Sequence, residues 1–165
     1  MQPAQSLRDL IEHIGGHHHA YLRRETPRIE ALLTKVAPSP EIAQIEDLFT
    51  AIGQELLTHM LKEEQVLFPY VSALEEAVQS GGAAPFAFFG TVTRPIATMI
   101  AEHDDTEALL LQIRQLLNGY SVPDGASPIL AALYRSLEEF ERDLHEHIRL
   151  ENEVLFPRAI EMEQR

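Results

Sequence analysis

The segment HMLKEEQVLFP, from His59 to Pro69, returns 88 residues later as HIRLENEVLFP, from His147 to Pro157. An internal repeat of this kind constrains the fold strongly, because each copy must be a similar structural unit with a similar face to bury. The repeat also extends backward. Ser39-Pro40 stands twenty residues before His59, and Ser127-Pro128 stands twenty before His147. Both pairs read as an N-cap serine followed by proline at the first helical position. Segments 39–69 and 127–157 therefore align without a gap.

The apolar residues of the two copies run Ile42, Ile45, Phe49, Ile52, Leu56 and Leu130, Leu133, Leu137, Phe140, Leu144. Steps of three and four residues mark one face of a helix packed in a bundle. The next positions on that face are His59 and Glu63 in the first copy and His147 and Glu151 in the second. A third segment shows the same period after Pro95 and places His103 on its face, between Met99 and Thr106. The first segment gives Gly15, His19, Leu22, Thr26, Ile29, Leu33 and Val36, with Ile14 and His18 on a neighbouring stripe. Proline- and glycine-rich breaks at 37–40, 81–85 and 118–125 separate the segments. The spacing predicts helices over 5–36, 41–79, 95–118 and 128–162, forming a single all-α, up-down antiparallel four-helix bundle. Pro69 and Pro157 are expected to kink their helices or begin new helical pieces. The apolar stretch PFAFFG, 85–90, is expected to pack over one end.

Isolated charges do not belong on such a face, since an ionised glutamate in a dry core costs several kcal/mol unless compensated. Here four helices each contribute a histidine, and two add a carboxylate one turn later, ~6 Å along the axis on the same face. Two carboxylates and four imidazoles suit a pair of first-row cations such as iron, zinc or manganese. A carboxylate can bridge two such ions, and six protein ligands leave coordination positions open. The chain has no cysteine, so thiolate ligation and disulfides are excluded. A net charge of −13 argues against a broad nucleic-acid or anionic-membrane surface. The N-terminal residues show no signal-peptide pattern, and no segment is long and apolar enough to span a bilayer. The expectation is a cytoplasmic protein. His13, His17 and His145 lie off the strict face and read as surface or neighbouring residues. Leu67, Phe68, Leu155 and Phe156 read as core that also dries the metal site.

At LIEHI and the residues that follow it through His19 and Ala20 to Pro27, and at HMLKEEQVLFP, RPIATMIAEHD and HIRLENEVLFPRA, the sequence resembles the hemerythrin-like (HHE cation-binding) superfamily, and most closely the repair-of-iron-centres (RIC) proteins. The resemblance covers nearly the whole chain. It implies two non-haem iron ions, with a bridging oxo or hydroxo group, held by His19, His59, Glu63, His103, His147 and Glu151, the two glutamates bridging. It also implies action on damaged iron–sulfur proteins through iron release or nitric oxide handling during nitrosative or oxidative stress.

Two departures accompany it. The family usually supplies another histidine just after the first helix, where this chain reads VAPSPEI. An extra water or anion, or His18, is the expected substitute, with one iron held less tightly. RIC proteins usually carry a small cysteine-containing N-terminal domain, whereas this chain starts at the bundle. The other readings are a dioxygen- or nitric-oxide-binding carrier or sensor without turnover, and a structural bundle holding zinc. The residues do not decide whether His18 or His19 is the helix-one ligand.

Overall fold

The computed structural model describes residues 6–164, so the expected helix start at residue 5 lies outside the described residues. Four long helical segments make up the bundle. We label them α1 (7–33), α2 (40–80), α3 (Thr93–Leu116) and α4 (128–163). The starts of α2 and α4 are capped as the sequence predicts. Ser39 Oγ accepts from the Ile42 amide at 3.1 Å, and Ser127 Oγ from the Leu130 amide at 3.2 Å, each followed by proline in the first turn. At the start of α1, the Glu75 carboxylate accepts from the Leu7 and Arg8 amides at 2.8 and 3.0 Å, tying α1 to the end of α2. Gly81 closes α2 at φ +68°, a conformation most side chains resist.

The helices alternate in direction. The end of α4 meets the start of α3, where Glu163 accepts from the Val92 amide at 2.9 Å, and it also meets α2, where Glu163 accepts from the Tyr70 hydroxyl at 2.6 Å. The buried residues form two separate apolar clusters. One, around Phe49, Phe140 and Leu133, fills the end of the bundle near the α1–α2 and α3–α4 connections. The other, around Leu7, Val71, Ile96 and Phe156, fills the opposite end. Phe49 and Phe140 meet edge to face with centroids 5.1 Å apart, both fully buried. Phe49→Ala is expected to cost about 3–5 kcal/mol, read as a lowered midpoint in chemical denaturation.

At their prolines the helices begin new helical pieces, the second of the two expected outcomes. At Glu63–Leu67 and again at Glu151–Leu155 the chain widens into one π-helical turn, and a new α segment follows with proline at its second position. The Phe68 amide bonds to Glu63 O and the Phe156 amide to Glu151 O, five residues back. The wider turn makes room ahead of the proline ring, so the helix continues. A third π-helical turn spans Ile14–His19. It corrects the reading of α1. The buried stripe is Leu7, Leu10, Ile14 and His18, then shifts by one residue to His19, Leu22, Ile29 and Leu33, while Gly15 is only half-buried. The extra residue of the π turn brings both stripes inward. PFAFFG is also corrected. Phe89 packs edge to face on Tyr70 at 5.0 Å, but Phe86 and Phe88 are 91% and 76% exposed.

Candidate metal centre

Between the two apolar clusters lies a single polar layer. His19 from α1, His59 and Glu63 from α2, His103 from α3, and His147 and Glu151 from α4 converge there, each no more than 3% exposed. The donor atoms fall into two groups of four that share both carboxylates. One is His19, His147, Glu63 and Glu151, and the other is His59, His103, Glu63 and Glu151. Glu63 stands 3.3 Å from His19 Nε2 through one oxygen and 3.3 Å from His59 Nε2 through the other. Glu151 stands 2.9 Å from His147 Nε2 and 3.1 Å from His103 Nε2, again with one oxygen each. Atoms bound to one cation at ~2.0–2.2 Å are about this far from one another.

The outward nitrogens show how the rings are aimed. His19 Nδ1 lies 2.7 Å from Glu64, His59 Nδ1 2.9 Å from Glu102 and His103 Nδ1 3.0 Å from the Asn152 carbonyl oxygen. These partners accept, so Nδ1 carries the hydrogen and Nε2 turns its lone pair inward. Glu64 is itself fixed by both nitrogens of Arg23 at 2.8 Å, and Glu102 pairs with Lys62. Phe68 stacks on His19 and Phe156 on His103, and both phenylalanines are buried as expected of core. Glu64, Glu102 and Asn152 were not singled out from sequence. A signal was present, because Glu64 and Asn152 each follow the buried glutamate of their repeat. The twofold pattern breaks once. Glu102, which precedes His103, serves His59, but the matching residue before His19 is His18. Its ring stacks on His147 instead, at 5.8 Å, and His147 Nδ1 is left without a partner among the described residues.

The layer favours cations. Both Glu63 oxygens, one Glu151 oxygen and His19 Nε2 are buried without a hydrogen-bond partner, an expensive state for polar atoms unless something positive lies between them. Burial opposes protonation of His59, but Glu63, Glu151 and Glu102 outweigh it and push the imidazole up to about 9. His19 is raised in the same way, with burial opposing and Glu63 prevailing. Glu151 is held well below the usual carboxylate range, against the effect of burial, by His147 and His103. The same field that retains protons holds divalent ions, and the donors are the nitrogen and oxygen atoms that iron accepts. Two overlapping clusters of this composition make a binuclear non-haem iron site.

The hemerythrin HHE cation binding domain model matches residues 10–159. The chain belongs to the hemerythrin HHE family. Among relatives of this HHE protein, the iron–sulfur cluster repair protein YtfE of Citrobacter koseri is 36% identical over 159 residues, covering 93% of this chain and 66% of its own length. YtfE of Salmonella paratyphi B is 35% identical over 162 residues, covering 95% and 68% respectively. The chain thus spans about two thirds of the length of the curated relatives it matches.

Within this HHE bundle, His18 and His19 are separated by geometry. His19 faces the carboxylates, while His18 Nδ1 turns to Asp143 at 3.1 Å. The expectation of a ligand position at VAPSPEI is corrected. Val36 is packed in the apolar cluster beyond the end of α1, and the helix from His19 to Leu33 alone covers roughly 20 Å at ~1.5 Å per residue. A side chain there does not reach the layer. No helix among the described residues is long and apolar enough to cross a membrane.

Proposed function

We propose that this chain is a RIC-type di-iron protein acting in iron–sulfur cluster repair, with His19 and His147 on one iron, His59 and His103 on the other, and Glu63 and Glu151 bridging. The observation that carries the assignment is the sharing of two fully buried carboxylates between two histidine pairs. The similarity to YtfE supports the repair role. The iron pair supplies ligand exchange and electron transfer. The protein's part is to hold its donors in one plane of the bundle, fix their tautomers through Glu64, Glu102 and Asn152, and exclude bulk water with Phe68 and Phe156.

Each group of four residues would hold one iron, and four protein residues per ion would leave positions for small exogenous ligands. One observation favours access. A cleft of about 390 Å³ between α2 and α3 is lined by His59, Lys62, Glu102 and Thr106, and it opens the His59 side to solvent. Damaged iron–sulfur proteins are the proposed partners, and dioxygen or nitric oxide the proposed small ligands.

The test is reconstitution of an apo iron–sulfur protein by iron-loaded chain, with free ferrous iron chelated. Cluster recovery well above that given by a loaded Glu151→Ala variant or by buffer is expected. Recovery equal to those controls overturns the repair role. If the same sample then binds dioxygen or nitric oxide reversibly and keeps its iron, the carrier or sensor reading replaces it.

A further inference from the structure

The run GGHHH supplies more histidine than the binuclear layer uses. Only His19 enters that layer. His17 and His18 lie with Asp143 of α4 in a third group whose donor atoms are all within 4.8 Å of one another. His13 stands beside them, its ring stacked on His17 at 5.3 Å and edge-on to His18 at 5.4 Å. The π-helical turn at Ile14–His19 creates this arrangement. By shifting the buried stripe one residue, it directs His19 to the carboxylates and leaves His18 facing α4.

His18 is buried with one ring nitrogen on a carboxylate of the neighbouring helix α4. Its side chain is 4% exposed, and its Nδ1 stands 3.1 Å from Asp143 Oδ2. The separation between His18 Nδ1 and Asp143 Oδ2 is that of a hydrogen bond in the metal-free protein, and it also lets both atoms reach one ion once the ring nitrogen gives up its proton. Imidazole and carboxylate with no thiolate suit first-row divalent cations. Asp143 is 15% exposed and His17 and His13 lie at the surface, so water can complete the coordination shell and ions can exchange.

We propose that His17, His18 and Asp143, with His13 adjacent, form a separate exchangeable site for one first-row divalent cation, outside the binuclear centre. The stacked His18 and His147 rings place it one imidazole away from that centre. This position suits loading or unloading of ferrous iron. The site does not depend on the repair role.

The experiment adds Co²⁺ to the iron-loaded full chain and follows cobalt binding by its visible absorption and by metal analysis. One additional Co²⁺ per chain is expected, with the iron content and iron spectrum unchanged. His17→Ala and Asp143→Asn are each expected to weaken that binding at least tenfold. Asp143→Asn keeps side-chain shape and a hydrogen-bonding oxygen for His18, so its loss of binding does not reduce to misfolding. His145→Ala, an exposed histidine outside the cluster, is expected to bind as wild type does. No additional cobalt, equal binding by both cluster variants, equal weakening by His145→Ala, or cobalt that enters only as iron leaves would each overturn the proposal.

Discussion

Glu63→Ala and Glu151→Ala are expected to lose both irons, whereas His145→Ala keeps them. Each glutamate stands within 3.3 Å of a histidine from each of the two donor groups, one oxygen to each. In the proposed site, removing either one would take a donor from both ions at once. Disturbing a group that merely hydrogen-bonds a metal ligand typically costs ~10–100-fold in affinity, and loss of a shared carboxylate is expected to cost more. His145 is 41% exposed and, among the described residues, pairs with Glu141 and Glu107 at 3.8 and 4.0 Å. Metal analysis after anaerobic iron loading and desalting provides the measurement. Glu63→Gln, with nearly the same volume, controls for packing and is also expected to lose iron. The same assay separates the adjacent histidines, with His19→Ala losing binuclear iron and His18→Ala retaining it. Equal iron retention by Glu63→Ala, Glu151→Ala and His145→Ala would refute the bridging roles.

Chelated protein is expected to melt well below iron-loaded protein, by a margin that grows with pH. A ligand that binds only the folded state stabilises it by ~4 kcal/mol at a thousandfold excess over Kd. For a chain of this size, ~1 kcal/mol corresponds to roughly 2–4 °C, so a gap of about ten degrees or more follows. The pH dependence has a definite sign. In the metal-free protein His59 is raised from 6.5 to about 9. Its contribution to stability is complete below about 6.5 and is lost as pH rises through about 9. Metal binding runs the other way, because protons compete for the same imidazoles and their removal favours the ion. The chelated melting temperature should therefore fall between pH 6.5 and 9 while the stabilisation by iron rises. Coincident melts, or a gap that narrows with pH across that window, would show that these groups do not bind the metal.

Much of this protein is legible in its sequence. Binary patterning at steps of three and four determines the helices, because only a periodic face can be buried. The Ser-Pro starts determine where α2 and α4 begin, since capping is local chemistry. The repeat determines that two His-x-x-x-Glu pairs occur in equivalent helical positions, and the buried face brings His19, His59, Glu63, His103, His147 and Glu151 into one layer. What lies between helices is decided only in three dimensions. Sequence spacing does not say that His19 pairs with His147 and His59 with His103, because that depends on which helices are neighbours. It does not show that Glu64, Glu102 and Asn152 fix the rings, because each reaches across to another helix. Nor does it locate the π turns. A π turn widens the helix by one residue, shifting the phase of the stripe in a way that a regular period cannot represent. That shift separates His18 from His19 and turns one toward Asp143 and the other toward the carboxylates. The VAPSPEI segment shows the same division. Local signals mark it as the end of α1, but only the length and direction of the helix place it in the far apolar cluster, out of reach of the polar layer.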